Sequence, residues 1–334
     1  MKRWHYPFLA FLIIGTIVIL SQSKPAKPEF RKAQGLVFGT SYNITYFYNA
    51  DLQPDIEQTL ALVDNALSMF NPESTISQVN NSEVMIVGDQ LFLKVFRRAM
   101  EISDLTNGAF DITVAPAVNA WGFGFKHAQN ISQTTIDSLL EITGYTKIHE
   151  LNGIIEKDDP RIMLDCSAIA KGFGSDMVAD MLRSKGINDF MVEIGGEIVV
   201  SGNNPKGNLW GIGISKPVDD SLSVNTELQT VVRVTDIAMA TSGNYRNFYV
   251  KDGRKYAHTI DPHTCTPVSH SLLSVTVFAD DCATADALAT SMMVMGLDSA
   301  QALCSRHPEI EAYFIFEGPE GEMETTSTSG SLFQ

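Results

Sequence analysis

The chain has 334 residues, 44% of them apolar, which supports one large core or two closely fused lobes rather than a string of small modules. Its formal charge of −15 sets up a field that repels phosphate backbones, so nucleic acid is excluded as a partner. An anionic small ligand must then be held by local devices: a metal ion, one or two basic side chains, and backbone amides.

The chain opens on Met1-Lys2-Arg3 and an apolar run from Tyr6 to Leu20, broken at Ser21-Gln22-Ser23-Lys24-Pro25. A basic start, a short apolar stretch and a polar break form an export signal over residues 1–23, acting either as a cleaved peptide or as an uncleaved membrane anchor. The expected location is periplasmic. Residues 24–33 read as a linker, residues 34–318 as the main globular unit, and residues 319–334 as a C-terminal hairpin and Ser/Thr-rich tail with a frayed end from Glu324.

Beyond the linker, the alternation of Tyr42, Ile44, Tyr46 and Tyr48 predicts a strand. Ile56, Leu60, Val63, Leu67 and Phe70 recur at helical spacing behind Pro54. A second amphipathic helix carries Leu91 to Ile102 and closes at Asn107-Gly108; a third runs from Thr134 to Ile142. Asn152-Gly153 predicts a hairpin. Ile162-Met163-Leu164 feeds a helix from Ser167 to Lys185, and strands follow at 190–194, 197–200, 210–214 and 230–234. Asp252-Gly253 predicts another hairpin. The strand 272–278 leads into an Ala- and Met-rich helix from Cys282 to Met295. Strands and helices mixed without regular βαβ alternation indicate an α+β fold.

Four clusters carry chemically useful residues. In Leu164-Asp165-Cys166-Ser167-Ala168-Ile169-Ala170-Lys171-Gly172 a strand end turns directly into a helix, where amides and Lys171 can face an anion. The same run also fits an ordinary turn capped by Asp165, with Lys171 in solvent. Asp286 and Thr290 stand four apart on the Ala-rich helix and so share a face, offering oxygens of the kind Mg²⁺ favours. Ala240 to Arg246 and Ala257 to Pro262 combine small hydroxyl residues, Arg246 as a phosphate contact and His258 as a proton acceptor. Aromatic residues beside Gly and Pro around Phe70, Phe110 and Trp121 could sandwich a planar ring or simply pack under loops. The four cysteines have no zinc-type spacing and are expected as buried free thiols.

Taken together and in order, these motifs resemble the ApbE family of flavin transferases. The resemblance covers residues 34 to 317. It rests on SAIAKG at Ser167–Gly172, GAFDITVAP at Gly108–Pro116, ATSGNYRN at Ala240–Asn247, HTIDP at His258–Pro262 and ADALATSMMVMG at Ala285–Gly296. It implies an α+β fold of two fused lobes with mixed or antiparallel sheets and a cleft for FAD between them. The implied activity is Mg²⁺-dependent cleavage of FAD, with FMN attached through a phosphoester bond to a threonine of an acceptor protein and AMP released. Carried over by position, Asp286, Thr290 and the Ala168 carbonyl would hold the metal. Phe38, Phe70, Ala109, Phe110, Asp111, Asp165, Lys171 and Thr259 would contact FAD, and His258 with Asp286 would serve catalysis. The implied acceptor belongs to a membrane redox complex of the sodium-pumping NADH:quinone reductase or RNF type. FAD hydrolysis to FMN and AMP, and FAD carriage without turnover, are the alternatives. Cys265 departs from the family pattern: it stands where a glycine follows the histidine motif, so a strained or rebuilt turn is expected there.

Overall fold

The computed structural model describes residues 8–14, 27–124, 131–217, 227–244, 248–251 and 254–328. Residues 8–14 are helical, and among the described residues no helix is long and apolar enough to cross a membrane. Most of the apolar run at 6–20, Arg246 and the Asp252-Gly253 turn lie outside the described residues.

One eight-stranded sheet organises the chain. Its strands are Glu29–Val37, Thr40–Tyr48, Phe190–Ile194, Glu197–Ser201, Ile237–Gly243, Leu272–Ala279, Glu311–Glu317 and Met323–Ser327. Every neighbouring pair is antiparallel, and spatial order equals chain order, so everything else is inserted between successive strands of one meander.

The period-two alternation of the strands gives the sheet two apolar faces. Ile44, Tyr46, Val192, Val199, Val275, Val277 and Phe314 point to the face covered by the helices Gln53–Leu67, Gln90–Leu105, Ser167–Ser184 and Cys282–Met295. Val200, Met239, Phe278 and Ile315 point the other way, against Trp210, Ile212 and Val232 of the hairpin Trp210–Ser215/Leu228–Val234. A smaller core of Ala117, Ala120, Leu139, Ile260 and Cys265 stands apart from the sheet.

Two boundaries differ from the sequence reading. Glu29–Val37 is an edge strand rather than linker, because its backbone pairs along its whole length with Thr40–Tyr48 despite a polar sequence. The C-terminal segment is ordered through Ser327, since Met323–Ser327 pairs with Glu311–Glu317.

Candidate active site

Seven segments converge on a cleft of 1040 Å³ between the sheet, its two central helices and the smaller core. They bring Gly39 and Thr40, the 109–123 loop, Asp165 to Lys171, Gly195 and Glu197, Thr241 to Gly243, His258 to Pro262, and Asp286 to Val294. The volume lies roughly at the upper end of the 300–1,000 Å³ usual for small-molecule sites, as an elongated ligand requires.

Close approach of two helices makes the centre of this cleft. Gly172 of Ser167–Ser184 lies against the first turn of Cys282–Met295, where any β-carbon would collide with the Cys282 carbonyl. The approach lets the Gly172 N–H donate to Asp286 Oδ2 at 3.0 Å. In a regular α-helix that N–H pairs with the Ala168 carbonyl, so Asp286 competes with Ala168 for it. Asp176, on the lysine-bearing helix, fixes the register of the pair: its Oδ1 accepts from Cys282 N at 2.8 Å and its Oδ2 from Ala283 N at 2.9 Å. A carboxylate on the orphan N–H groups of a helix start is the favourable arrangement. Asp281 caps the same turn through Thr284 N at 2.8 Å.

Lys171 is not in solvent. Its Nζ lies 3.2 Å from Glu197 Oε1 and 3.7 Å from Asp286 Oδ2. Burial alone would lower the ammonium, but Asp286 and Glu197 outweigh it and the group is raised. Burial pushes Asp286 up, against the pull of Lys171 and the Gly172 N–H, and lifts Glu197 in the same way. Glu197 is 3% exposed, and its Oε2 has no hydrogen-bond partner among the described residues. Thr290 Oγ1 sits 3.0 Å from Ser242 Oγ. Among the described lining residues, Asp111, Asp165, Glu197 and Asp286 face one lysine. An anionic ligand therefore needs an additional cation.

The donors at hand are the Asp286 carboxylate, the Thr290 and Ser242 hydroxyls and the Ala168 carbonyl. An all-oxygen set of this kind fits Mg²⁺. No group of three or more His, Cys, Asp and Glu residues able to hold a metal occurs among the described residues, so a softer, side-chain-only site is not offered.

The walls are held by loops tied to one another. Asp111 Oδ1 accepts from Thr113 N and Thr113 Oγ1, both at 2.7 Å, and its Oδ2 from Tyr145 N at 2.7 Å. Asp165 N donates to the Ile112 carbonyl at 2.7 Å, and Asp165 Oδ1 accepts from Ser167 N at 2.7 Å. Burial raises both carboxyls. Thr259 Oγ1 donates to Asn244 Oδ1 at 2.8 Å, and the His258 ring stands edge-on to Phe123 at 6.4 Å. Cys265 has φ 51, and its carbonyl accepts from Trp121 Nε1 at 2.8 Å. The turn is therefore kept in the left-handed region without glycine, at a cost of about 1 kcal/mol. Cys166, Cys265, Cys282 and Cys304 are all buried and free.

Of the residues singled out in the sequence, Ala109, Phe110, Asp111, Asp165, Ala168, Lys171, His258, Thr259, Asp286 and Thr290 line this one cleft. Phe38 is not in the lining; it packs partly buried beside it, against Gly174, with Gly39 and Thr40 reaching the cleft in its place. Phe70 also lies outside the lining and is 81% exposed. Glu197 and Asp176 are the residues that sequence reasoning misses.

The ApbE family model matches residues 38–314. An FAD:protein FMN transferase of Vibrio cholerae is 38% identical over 100% of this chain and 99% of its own length. That of Haemophilus influenzae is 32% identical over 88% of this chain and 89% of its own. Among solved structures, the flavin transferase ApbE from Vibrio cholerae superposes with a TM-score of 0.83 at 36% identity, over 92% of this chain and 100% of that one. The Pseudomonas stutzeri flavinyl transferase ApbE in its apo form gives 0.82 at 29% identity, over 92% and 97%. With a family match across most of its length and relatives aligned nearly end to end, this chain belongs to the ApbE family.

Proposed function

We propose that this chain is a transferase that splits FAD and joins the FMN half to a threonine hydroxyl of an acceptor protein, releasing AMP. The observation that carries the reading is the convergence of Lys171, Asp286, Thr290 and His258 on one cleft whose acidic lining needs a cation before it can take a pyrophosphate. Asp286, Thr290 and the Ala168 carbonyl would hold Mg²⁺, which when bound supplies charge neutralisation at the pyrophosphate oxygens.

The protein's own part is positioning, as in phosphoryl transfer generally. Lys171 binds the pyrophosphate beside Asp165, while Ala109, Phe110, Asp111 and Thr259 line the flavin end. A ring nitrogen of His258 takes the threonine proton as its oxygen bonds to the FMN phosphorus. The bond from that phosphorus to the bridging oxygen breaks, and AMP leaves with that oxygen. The acceptor is a periplasmic-side subunit of a membrane redox complex, reached by an enzyme exported through its N-terminal segment and anchored there if the segment is retained.

The test is incubation of purified chain with FAD, Mg²⁺ and a threonine-containing acceptor, followed by intact mass and AMP assay. Transfer predicts an FMN-sized gain on the acceptor together with AMP. AMP without the mass gain identifies hydrolysis, and stable FAD binding with neither product identifies a carrier; either result overturns the proposal.

A further inference from the structure

Glu197 follows Gly195 and Gly196, whose φ values of 63 and 105 turn the chain sharply between two strands of the main sheet. Its carbonyl accepts from Ser175 Oγ at 3.0 Å, so the backbone is fixed independently of the side chain. The carboxylate reaches into the cleft lining: Oε1 meets Lys171 Nζ at 3.2 Å, and Oε2 is buried with no hydrogen-bond partner among the described residues. Gly195 also lines the cleft, and a β-carbon there would come within 3.4 Å of that oxygen, so the glycine leaves it uncovered. A buried carboxylate oxygen without a donor is unfavourable and rare in native proteins, and such orphans call for a missing partner.

The chemistry of that partner is constrained from two sides. The hydroxyl oxygens suited to a hard cation gather around Asp286 and Thr290 rather than at Oε2, which has Lys171 at its sister oxygen. A phosphate has no hydrogen to give. On the reading of this cleft as an FAD site, with Lys171 at the pyrophosphate, the groups that flank a pyrophosphate and carry donors are hydroxyls: the ribityl chain on one side and the ribose on the other.

We infer that Glu197 is a ligand-contacting residue of this cleft, its Oε2 accepting a hydrogen bond from a ribityl or ribose hydroxyl of the bound dinucleotide while its Oε1 keeps Lys171 aimed at the pyrophosphate.

The test uses the full chain with Glu197→Met, similar in length and without an acceptor of this strength, and Glu197→Gln, which keeps one oxygen. Melting temperature is measured without ligand, and binding of FAD, FMN and ADP is measured with Mg²⁺ present. The expected result is FAD affinity down about tenfold or more in the methionine variant, with the ligand-free melting temperature confirming that each variant folds. The glutamine variant should recover part of that loss. A parallel loss for FMN alone assigns the ribityl hydroxyls, and a parallel loss for ADP alone assigns the ribose. Should Glu197→Met fail to fold, Glu197→Gln carries the comparison, with a loss of at least threefold expected. Variants that fold and bind all three ligands within twofold of wild type overturn the assignment alone. A wild-type chain that binds none of them overturns the proposed function as well.

Discussion

Asp111 and Glu197 are both buried carboxylates in the same cleft, yet their surroundings are opposite. Asp111 accepts three hydrogen bonds from its own loop and from Tyr145, and so spends its capacity on holding a wall in place. Glu197 shares a single lysine with Asp286 and leaves one oxygen bare. Carboxylates that are fully partnered by the protein are scaffold; those that crowd around too few donors are waiting for a ligand. The contrast predicts that changes at the first kind are read in stability and changes at the second in binding and turnover.

The strongest break of that contrast is at the crowded end. Asp286→Ala is expected to lower Mg²⁺-dependent AMP release from FAD by roughly 10²–10³-fold, the scale of losing a main electrostatic contact, with the far-ultraviolet circular dichroism unchanged. Unaltered AMP release would remove Asp286 from the site. At the scaffold end, Asp111→Ala leaves the buried Thr113 N–H and the part-buried Tyr145 N–H without acceptors and should cost about 2 kcal/mol in denaturant unfolding. A loss of activity with unchanged stability would show that Asp111 belongs with Glu197 instead.

Asp176 stands between the two kinds, since it is scaffold for the aspartate-bearing helix. Asp176→Ala is expected to cost about 2 kcal/mol by freeing the Cys282 and Ala283 N–H groups, and to weaken FAD binding through the displaced Asp286. Its charge gives a pH signature. Burial, opposed by those two N–H groups and reinforced by Asp281 and Asp180, lifts its carboxyl from 3.8 to about 7. The folded chain therefore keeps a proton that the unfolded chain releases, and the contribution of this group to stability falls as pH rises between those values. Asp176→Asn should flatten the melting-temperature profile over that window, and a profile parallel to wild type would contradict the assignment. The smallest effect is expected at Phe70, where removal of an exposed ring leaves stability unchanged. Phe70→Ala should weaken FAD binding by about two- to tenfold if the ring stacks on the flavin, and equal affinity would exclude that role.

What the sequence reveals follows from what is local. The helix Cys282–Met295 and the hairpin at Asn152-Gly153 are signalled by neighbouring residues and appear where the pattern puts them; Asn152 and Gly153 both take positive φ, as the turn demands. The edge strand Glu29–Val37 is illegible because a sheet edge needs little apolar surface. Ile237–Gly243 is hidden because its small residues read as a loop of hydroxyls. The cleft residues set by motif lie together, but Glu197 looks like the polar first residue of an apolar strand, and Asp176 like one more exposed helical acid. Only the close passage of two helices at Gly172 gives either one a task, and that contact joins segments distant in the chain.

The meander also sets a timetable. In chain order each main-sheet strand can dock on the one before it, and six of the eight are complete at Ala279. The helix with Asp286 and Thr290 comes only afterwards, so a chain truncated at Ala279 keeps six of the eight main-sheet strands and loses both of these cleft residues.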